Sequence, residues 1–217
     1  GCALDCSFCA TGQRGFERNL STGEIVDQLI FVRGNIDQSV TNVVFMGMGE
    51  PFHNYKNVLN AADIFHSPKG FNLASTRITI STAGLLPQIK QFITEKRRYK
   101  LAISLNAADD RVRNNIMPVN KKWSITELIK AGKEYSNQKK RQVMFEYVLL
   151  KGINDSEDDA LQLAQLLQGI SCKLNLIPYN ETDGIYQRPD EAVITGFSKI
   201  LHENRDEYRV LVRWSKG

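Results

Sequence analysis

The sequence lacks any long apolar run, and no stretch approaches the roughly 18 apolar residues that a membrane-spanning helix requires. It also lacks a basic-then-apolar leader at its start, so a secreted protein is not indicated. Cysteine is scarce, and four cysteines in 217 residues are too few for a disulfide scaffold of this size. These absences predict a soluble protein of the cytoplasm without a membrane partner.

The chain also lacks low-complexity segments, residue-level repeats and a convincing interdomain linker. A chain of this length can bury roughly 70% of its unfolded surface in one core. We therefore expect one domain over residues 1–217, and a monomer. Because the first residue is Gly rather than Met, we also expect the chain to be cut from something longer.

The charge is only mildly positive, with 28 Lys and Arg residues against 24 Asp and Glu residues and a net charge of +4. Basic runs occur at Lys96–Lys100, Lys121–Lys122 and Lys139–Arg141. Such runs permit a nucleic-acid partner. Solvated helix ends explain each run equally well when it is taken alone.

From residue 41 onward, short β-branched or aromatic runs alternate with amphipathic stretches, which is typical of α/β folds. The predicted strands are Asn42–Met46, Arg77–Ser81, Lys100–Leu105, Val143–Leu150, Lys173–Ile177 and Arg209–Val212. The predicted helices are Thr22–Arg33, Tyr55–His66, Leu86–Arg97, Ile125–Gln138, Glu157–Leu167 and Glu191–Asn204. Capping boxes mark two helix starts, at Ser21 with Glu24 and at Ser124 with Glu127.

The strand pattern predicts a mainly parallel sheet, because continuous apolar runs such as Asn42–Met46 are expected where both sheet faces are covered. Six βα units fit here, whereas a complete eight-unit barrel typically needs about 250 residues. We therefore predict an α/β fold with a partial (β/α)6 barrel, while periodicity alone leaves a doubly wound sheet open. The segment before the Thr22 helix has the position of a strand-to-helix loop, so we expect the first strand to be missing from this chain.

Three of the four cysteines crowd into the first nine residues, where Cys2, Cys6 and Cys9 have C-x3-C-x2-C spacing. A 4Fe-4S cluster held by three thiolates keeps one iron open for a substrate or cofactor. The rival interpretation is structural zinc, which wants four nitrogen or sulfur ligands and commonly two paired motifs. No second pair exists, so the spacing favours the cluster and leaves zinc as the weaker alternative. Cys172 precedes an apolar strand and is typical of a small core residue.

Small and polar residues follow the predicted strands, at the edge where parallel α/β folds bind ligands. In the turn that contains Gly49 and Glu50, glycine admits close backbone approach and the carboxylate can accept hydrogen bonds from an ammonium. Hydroxyl and amide partners for a ribose or a carboxylate follow later strands, at Ser81, Ser104, Asn106 and Asn180. Each is as typical of a turn or a helix cap. With the cysteine loop, they predict a ligand that is part amino acid and part nucleoside.

Longer blocks accompany the cysteine motif of Gly1–Gly12. They are Gly15-Phe16, Asn42–Pro51, Ile80–Gly84, Leu101–Leu105, Phe145–Gly152 and Asn175–Asn180. Together these blocks resemble the RlmN/Cfr family of radical S-adenosylmethionine (SAM) RNA methyltransferases, almost from end to end, and the similarity is closer to RlmN. The cysteine motif alone would indicate only the wider superfamily.

The resemblance implies methylation of carbon 2 of an adenosine in 23S ribosomal RNA, and of a transfer-RNA adenosine as well; carbon 8 is the less favoured target. In that family one SAM methylates a cysteine near the C-terminus. A second SAM is cleaved reductively at the 4Fe-4S cluster, with an electron donor such as a flavodoxin, and the resulting radical takes hydrogen from the new methyl group. The implied cluster ligands are Cys2, Cys6 and Cys9, and the implied SAM shell is Gly49, Glu50, Ser81, Ser104, Leu105, Asn106 and Asn180.

Two departures from the family pattern bear on these expectations. Asn106 stands where many members have His, and Asn cannot titrate near neutrality. The chain also stops at Gly217, before the family's methyl-accepting cysteine, and lacks the family's N-terminal domain. We therefore assign no catalytic residue within the chain. We expect it to bind the cofactors without completing methyl transfer. Two other functions stay open: a radical-SAM enzyme acting on a substrate other than RNA, and a non-enzymatic zinc-binding module.

Overall fold

A computed structural model describes residues 1–139, 141–181 and 184–214. Six strands form one sheet in sequence order, and each neighbouring pair is parallel. The strands are β1 (Val43–Phe45), β2 (Ile78–Thr82), β3 (Lys100–Ser104), β4 (Val143–Leu149), β5 (Cys172–Pro178) and β6 (Arg209–Val212). A doubly wound sheet reverses its strand order partway along, whereas a barrel adds strands consecutively. The predicted partial (β/α)6 barrel is therefore confirmed.

Helices connect the strands as the alternating pattern predicts. They are α1 (Ala10–Gln13), α2 (Thr22–Asn35), α3 (Tyr55–His66), α4 (Leu86–Thr94), α5 (Asp110–Ile116), α6 (Ile125–Lys139), α7 (Glu157–Leu166) and α8 (Glu191–Glu203). The sequence did not predict α1 or α5. Helix α4 ends before the predicted Arg97, because the backbone enters the left-handed region at Lys96, with a φ of 52°. Within the described ranges, every helix is too short or too polar to cross a membrane.

The two faces of the sheet differ in how they are covered. On β4, Phe145 and Tyr147 lie on one face of the sheet and are fully buried. Met144 and Val148 lie on the opposite face and are partly exposed. The Tyr147 ring packs 5.5 Å from the ring of Phe197 on α8, measured between centroids. Since side chains alternate along a strand, one face packs against helices and the other, here called the cleft side, is partly exposed.

Strand β1 corrects the expectation that both faces of Asn42–Met46 are covered. Val44 and Met46 leave 47% and 46% of their surfaces exposed, while Val43 and Phe45 pack against the core. Among the described residues, β1 pairs only with β2 and so forms an edge of the sheet. The apolar run therefore combines a helix-covered face with a face that lines the open cleft.

The capping box of α7 leads to a prediction of modest size. Asp159 N donates to Ser156 Oγ at 3.1 Å, and Ser156 N donates to the Asp159 carboxylate at 3.1 Å. We expect Ser156→Ala to lower the free energy of unfolding by about 1 kcal/mol, measured by urea denaturation. Ser171→Ala, at an exposed serine before β5, is the matched control. Equal losses in the two variants would contradict the capping role.

Candidate cofactor site

The cysteine loop is closed by its own backbone. Cys2 N donates to Gly15 O at 2.8 Å, and Cys9 N donates to Cys6 O at 3.0 Å. Cys2, Cys6 and Cys9 are free, partly exposed thiols. Burial, together with the neighbouring charges of Cys2 and Cys9, raises the pKa of Cys6 to about 12. The three sulfurs therefore lie close enough to influence one another.

The same loop is docked on the carboxyl-terminal end of α5. Ser7 N donates to Ile116 O at 3.0 Å, and the Ser7 hydroxyl lies 2.7 Å from the hydroxyl of Tyr186. Phe8 packs against the core beside these contacts. Because α5 follows β3, the docking places the thiols at the carboxyl edge of the sheet.

The turn after β1 brings Gly49 and Glu50 to this loop. Gly49 has a φ of 102°, and a Cβ atom there would lie 3.1 Å from Gly1 O. The buried Glu50 carboxylate accepts hydrogen bonds from Phe52 N at 2.8 Å and from Ala83 N at 2.7 Å. Burial raises the pKa of Glu50 to about 7, although these two bonds oppose the shift. Glu50 thereby joins the turn after β1 to the loop after β2.

Polar groups from β2, β4 and β5 meet on the cleft side of the sheet. Ser81 Oγ donates to the Glu146 carboxylate at 3.2 Å. Burial raises the pKa of Glu146, while Ser81, Arg213 and Asn175 each lower it. The Asn175 amide, 1% exposed, makes no hydrogen bond of standard geometry within the described residues, although it lies near enough to affect Glu146. Ser104 lies level with Glu146 on the neighbouring strand.

Asn106 is held by the protein on every side. Its Oδ1 accepts from Val148 N at 2.9 Å, and its Nδ2 donates to Met117 Sδ at 3.3 Å. Its backbone carbonyl accepts from Asn154 Nδ2 at 2.7 Å, and its φ is 58°. The preceding Leu105 is fully buried. The side chain of Asn106 therefore fixes the junction between β3 and β4.

Asn180 follows β5 at the same edge but lies apart from the residues that surround Asn106. It is exposed, and it lines a hollow of about 580 Å³ with Arg188 and Asp190. Residues 182 and 183, just beyond it, lie outside the described part of the chain. Asn180 therefore approaches the predicted site from the side of β5.

Sequence reasoning missed the fully buried polar residues Arg113 and Asn154, together with Glu146. Arg113 lies in the unpredicted helix α5 and donates to main-chain carbonyls of two loops at the carboxyl edge. The available signal was Asp109, whose carboxylate accepts from Val112 N at 2.9 Å as a helix cap. Nothing in the sequence around Arg113 separates it from a surface arginine.

A cavity of about 800 Å³ runs along the free edge of β1, between that strand and α2. Cys2, Gly49 and Glu50 line it, whereas Ser81, Ser104, Asn106 and Asn180 do not. The predicted SAM shell is therefore divided between this cavity, the cleft side of the central strands and the hollow beside Asn180.

The donor set fits an iron-sulfur cluster better than zinc. In the described ranges, no three His, Cys, Asp or Glu side chains are placed to hold a single metal ion. Three thiols without a fourth protein ligand match a cluster that keeps one iron open, whereas structural zinc uses four protein ligands.

Known proteins resemble the chain over nearly its whole length. The chain is 45% identical to a probable dual-specificity RNA methyltransferase RlmN of Leptospira interrogans over 93% of its residues and 57% of the relative. It is 44% identical to the dual-specificity RNA methyltransferase RlmN of Desulfotalea psychrophila over its full length and 62% of the relative. The chain thus spans about three fifths of the length of these curated relatives.

Solved structures give the same picture. A radical SAM methyltransferase from Sphaerobacter thermophilus superposes with a TM-score of 0.94 at 42% identity, over 100% of this chain and 64% of the other. Streptococcus suis SuiB bound to S-adenosylmethionine shares the fold alone, with a TM-score of 0.71 at 16% identity over 99% of this chain and 48% of SuiB. The Radical SAM superfamily profile matches residues 1–164, which include the cysteine loop and β1 to β4. The chain therefore belongs to the radical SAM superfamily, whose members use a 4Fe-4S cluster and S-adenosylmethionine.

Proposed function

We propose that residues 1–217 form one catalytic core domain of an RlmN-type RNA methyltransferase, which acts on carbon 2 of an adenosine in 23S ribosomal RNA and in transfer RNA. One observation carries the proposal: a three-thiol loop meets the Gly49–Glu50 turn at the carboxyl edge of a chain 44% identical to RlmN along its full length. We assign complete turnover to the intact protein, because the chain spans 62% of that relative.

In this proposal Cys2, Cys6 and Cys9 hold the 4Fe-4S cluster. When bound, the cluster supplies the electron for reductive cleavage of SAM, so an electron donor such as a flavodoxin is required. The thiols must lose their protons to bind iron. Because burial raises the pKa of Cys6 to about 12, the bond to iron must supply the energy of its deprotonation at neutral pH.

The proposed SAM shell comprises Gly49, Glu50, Ser81, Ser104, Leu105, Asn106 and Asn180. Glu50 keeps acceptor capacity beyond its two N–H bonds, since a carboxylate offers about four acceptor positions. It can therefore receive the amino group of SAM without releasing the loop after β2. The Ser81 hydroxyl is oriented by Glu146. Asn106 contributes by shaping the edge of the site, because its amide is already bonded within the protein.

A cationic surface at the amino-terminal edge of the sheet, opposite the edge that carries the cysteine loop, can contact RNA phosphates away from the reacting adenosine. Arg98 and Arg141, each from one of the basic runs, meet there, since Arg141 Nη1 donates to the Arg98 carbonyl; residue 140 of the second run lies outside the described residues. Burial lowers the pKa of Lys100, and the charges of Lys173, Arg77 and Arg141 lower it further. None of these four cationic residues forms an ion pair within the described ranges; they are Arg77, Lys100, Arg141 and Lys173. The third run, Lys121–Lys122, is exposed elsewhere.

This surface predicts the salt dependence of RNA binding. We expect the combined variant Arg77→Gln, Lys100→Gln and Arg141→Gln to flatten the slope of log affinity against log salt by about 2 to 3, since each phosphate contact contributes about 0.7 to 0.9. Filter binding of an adenosine-containing RNA stem-loop measures the slope. The matched control removes the same charge elsewhere, at the exposed Lys56, Lys90 and Lys130. Equal slopes in the two triple variants would count against this surface.

The test of the proposed function begins with the chain reconstituted anaerobically with iron and sulfide. After addition of SAM and a strong reductant, we expect a brown protein that forms 5′-deoxyadenosine. A folded, colourless, zinc-loaded protein that forms none would favour the zinc-binding module. Salt-sensitive RNA binding distinguishes the RNA methyltransferase from a radical-SAM enzyme with another substrate, and methylation of a 23S fragment by the intact protein completes the test. The monomeric state and the cytoplasmic location stay predictions.

A further inference from the structure

Arg113 is a fully buried cation that holds two loops of the candidate site. Its Nε donates to Leu105 O at 2.7 Å, and its Nη2 donates to Ser104 O at 2.8 Å. The same Nη2 donates to Ala83 O at 2.7 Å. One guanidinium therefore joins the loop after β2 to the loop after β3. Both loops carry residues of the proposed SAM shell or contact them, because Ala83 N is bound by Glu50.

The remaining side of the guanidinium is held by an amide and not by a carboxylate. Arg113 Nη1 donates to Asn120 Oδ1 at 2.8 Å. The amide nitrogen of Asn120 donates to Asp110 Oδ1 and to Asn114 Oδ1, both at 2.9 Å. Within the described residues, Arg113 forms no ion pair. Its orientation is thus fixed by neutral groups while its charge stays without a contacting carboxylate.

Arg113 lies near enough to Cys6 for the two groups to influence each other electrostatically. Burial lowers the pKa of Arg113 to about 10, and the opposing influence of Cys6 exceeds that of Asp110. Reciprocally, Arg113 lowers the pKa of the Cys6 thiol. The same short helix accepts the backbone N–H of Ser7, the residue next to Cys6, at Ile116 O. Helix α5 therefore contacts both the cysteine loop and the loops of the SAM shell.

We propose that Arg113 is a positioning residue for SAM cleavage: it locks the carboxyl ends of β2 and β3 together next to the cysteine loop and keeps a fixed positive charge within electrostatic range of Cys6. The proposal rests on the proposed function, because it takes Cys6 as a cluster ligand. A nearby cation stabilises the reduced, more negative form of a cluster, so Arg113 raises the reduction potential.

Substitution at Arg113 separates the charge from the hydrogen bonds. Lysine keeps a positive charge but cannot reproduce the planar fork of donors, whereas methionine removes both. We expect Arg113→Lys to weaken SAM binding by about tenfold with little change in reduction potential. We expect Arg113→Met to weaken SAM binding as strongly and also to shift the potential to a more negative value. Redox titration followed by electron paramagnetic resonance measures the potential, and equilibrium dialysis measures SAM affinity.

Arg111→Met is the matched control, because it removes an exposed arginine from the same helix. It should change neither measurement. Equal potentials in Arg113→Lys and Arg113→Met would overturn the electrostatic role. Failure of both variants to retain iron, with Arg111→Met loaded normally, would reduce Arg113 to a folding residue and also overturn the proposal. The proposed function fails separately if the unaltered chain binds no cluster.

Discussion

Cys6→Ala is expected to abolish cluster binding and to reduce 5′-deoxyadenosine formation by more than about 100-fold. Loss of a residue that only supports a metal ligand costs up to about 100-fold, and loss of a ligand itself should cost more. The effect should be this large because Cys6 is one of only three proposed cluster ligands and lies between the other two in the loop. Iron analysis of the reconstituted variant and chromatography of the SAM products measure the two losses.

Cys172→Ala provides the matched control for that experiment. Cys172 is the fourth free cysteine, is fully buried at the start of β5 and packs in the core. Its replacement should lower stability while leaving the iron content and the yield of 5′-deoxyadenosine per iron unchanged. Retention of full iron by Cys6→Ala, or its loss from Cys172→Ala alone, would contradict the proposed ligand set.

Glu50 is expected to make the stability of the cofactor-free chain fall as pH rises. Its pKa is about 7 in the folded chain against 4.5 as the reference, so the folded state binds more protons between these values. Stability then declines with increasing pH. The contribution of Glu50 is fully present below pH 4.5 and is lost as the pH rises through 7. The loss is at most about 3.5 kcal/mol, because the shift is about 2.5 pKa units and one unit corresponds to about 1.4 kcal/mol.

Urea denaturation at several pH values between 4.5 and 8 tests this expectation. Glu50→Gln removes the titration and keeps an oxygen acceptor for one of the two N–H groups, so its stability should change less across this range. Some dependence should persist, because burial also raises the pKa of Glu146. Identical pH profiles in the variant and the unaltered chain would show that Glu50 is already ionised when folded. An ammonium placed against Glu50, as proposed for SAM, should flatten this slope between pH 4.5 and 8, because it lowers the pKa of Glu50 in the folded chain.

The strands were predictable because their apolar runs are short and separated by polar segments. Every predicted strand is present, with ends displaced by at most one residue, as at β1, where Val43–Phe45 replaces Asn42–Met46. The coverage of β1 was not predictable, because a run of apolar residues does not show whether helices cover one face or two. Val44 is exposed on a strand at the edge of the sheet, a position that no local pattern shows.

The candidate site was only partly predictable. The cysteine spacing and the Gly49–Glu50 turn are local signals, and the structure brings them together. Helix α5 escaped prediction because its sequence between Asp110 and Ile116 is mostly polar and has no clear apolar period. The hydrogen bonds of Arg113 and of the Asn106 amide join segments that are far apart in sequence, so no local pattern predicts them.

The unbroken strand order has a consequence for how the chain is made. Each strand from β2 onward pairs with the strand synthesised just before it, so the sheet can grow toward the C-terminus as the polypeptide leaves the ribosome. The longest ladder, seven residue pairs between β4 and β5, spans a connection of a single helix. Each new strand therefore closes only the connection to the strand before it, so the entropic cost of loop closure is lower than in a sheet whose strands pair out of sequence order.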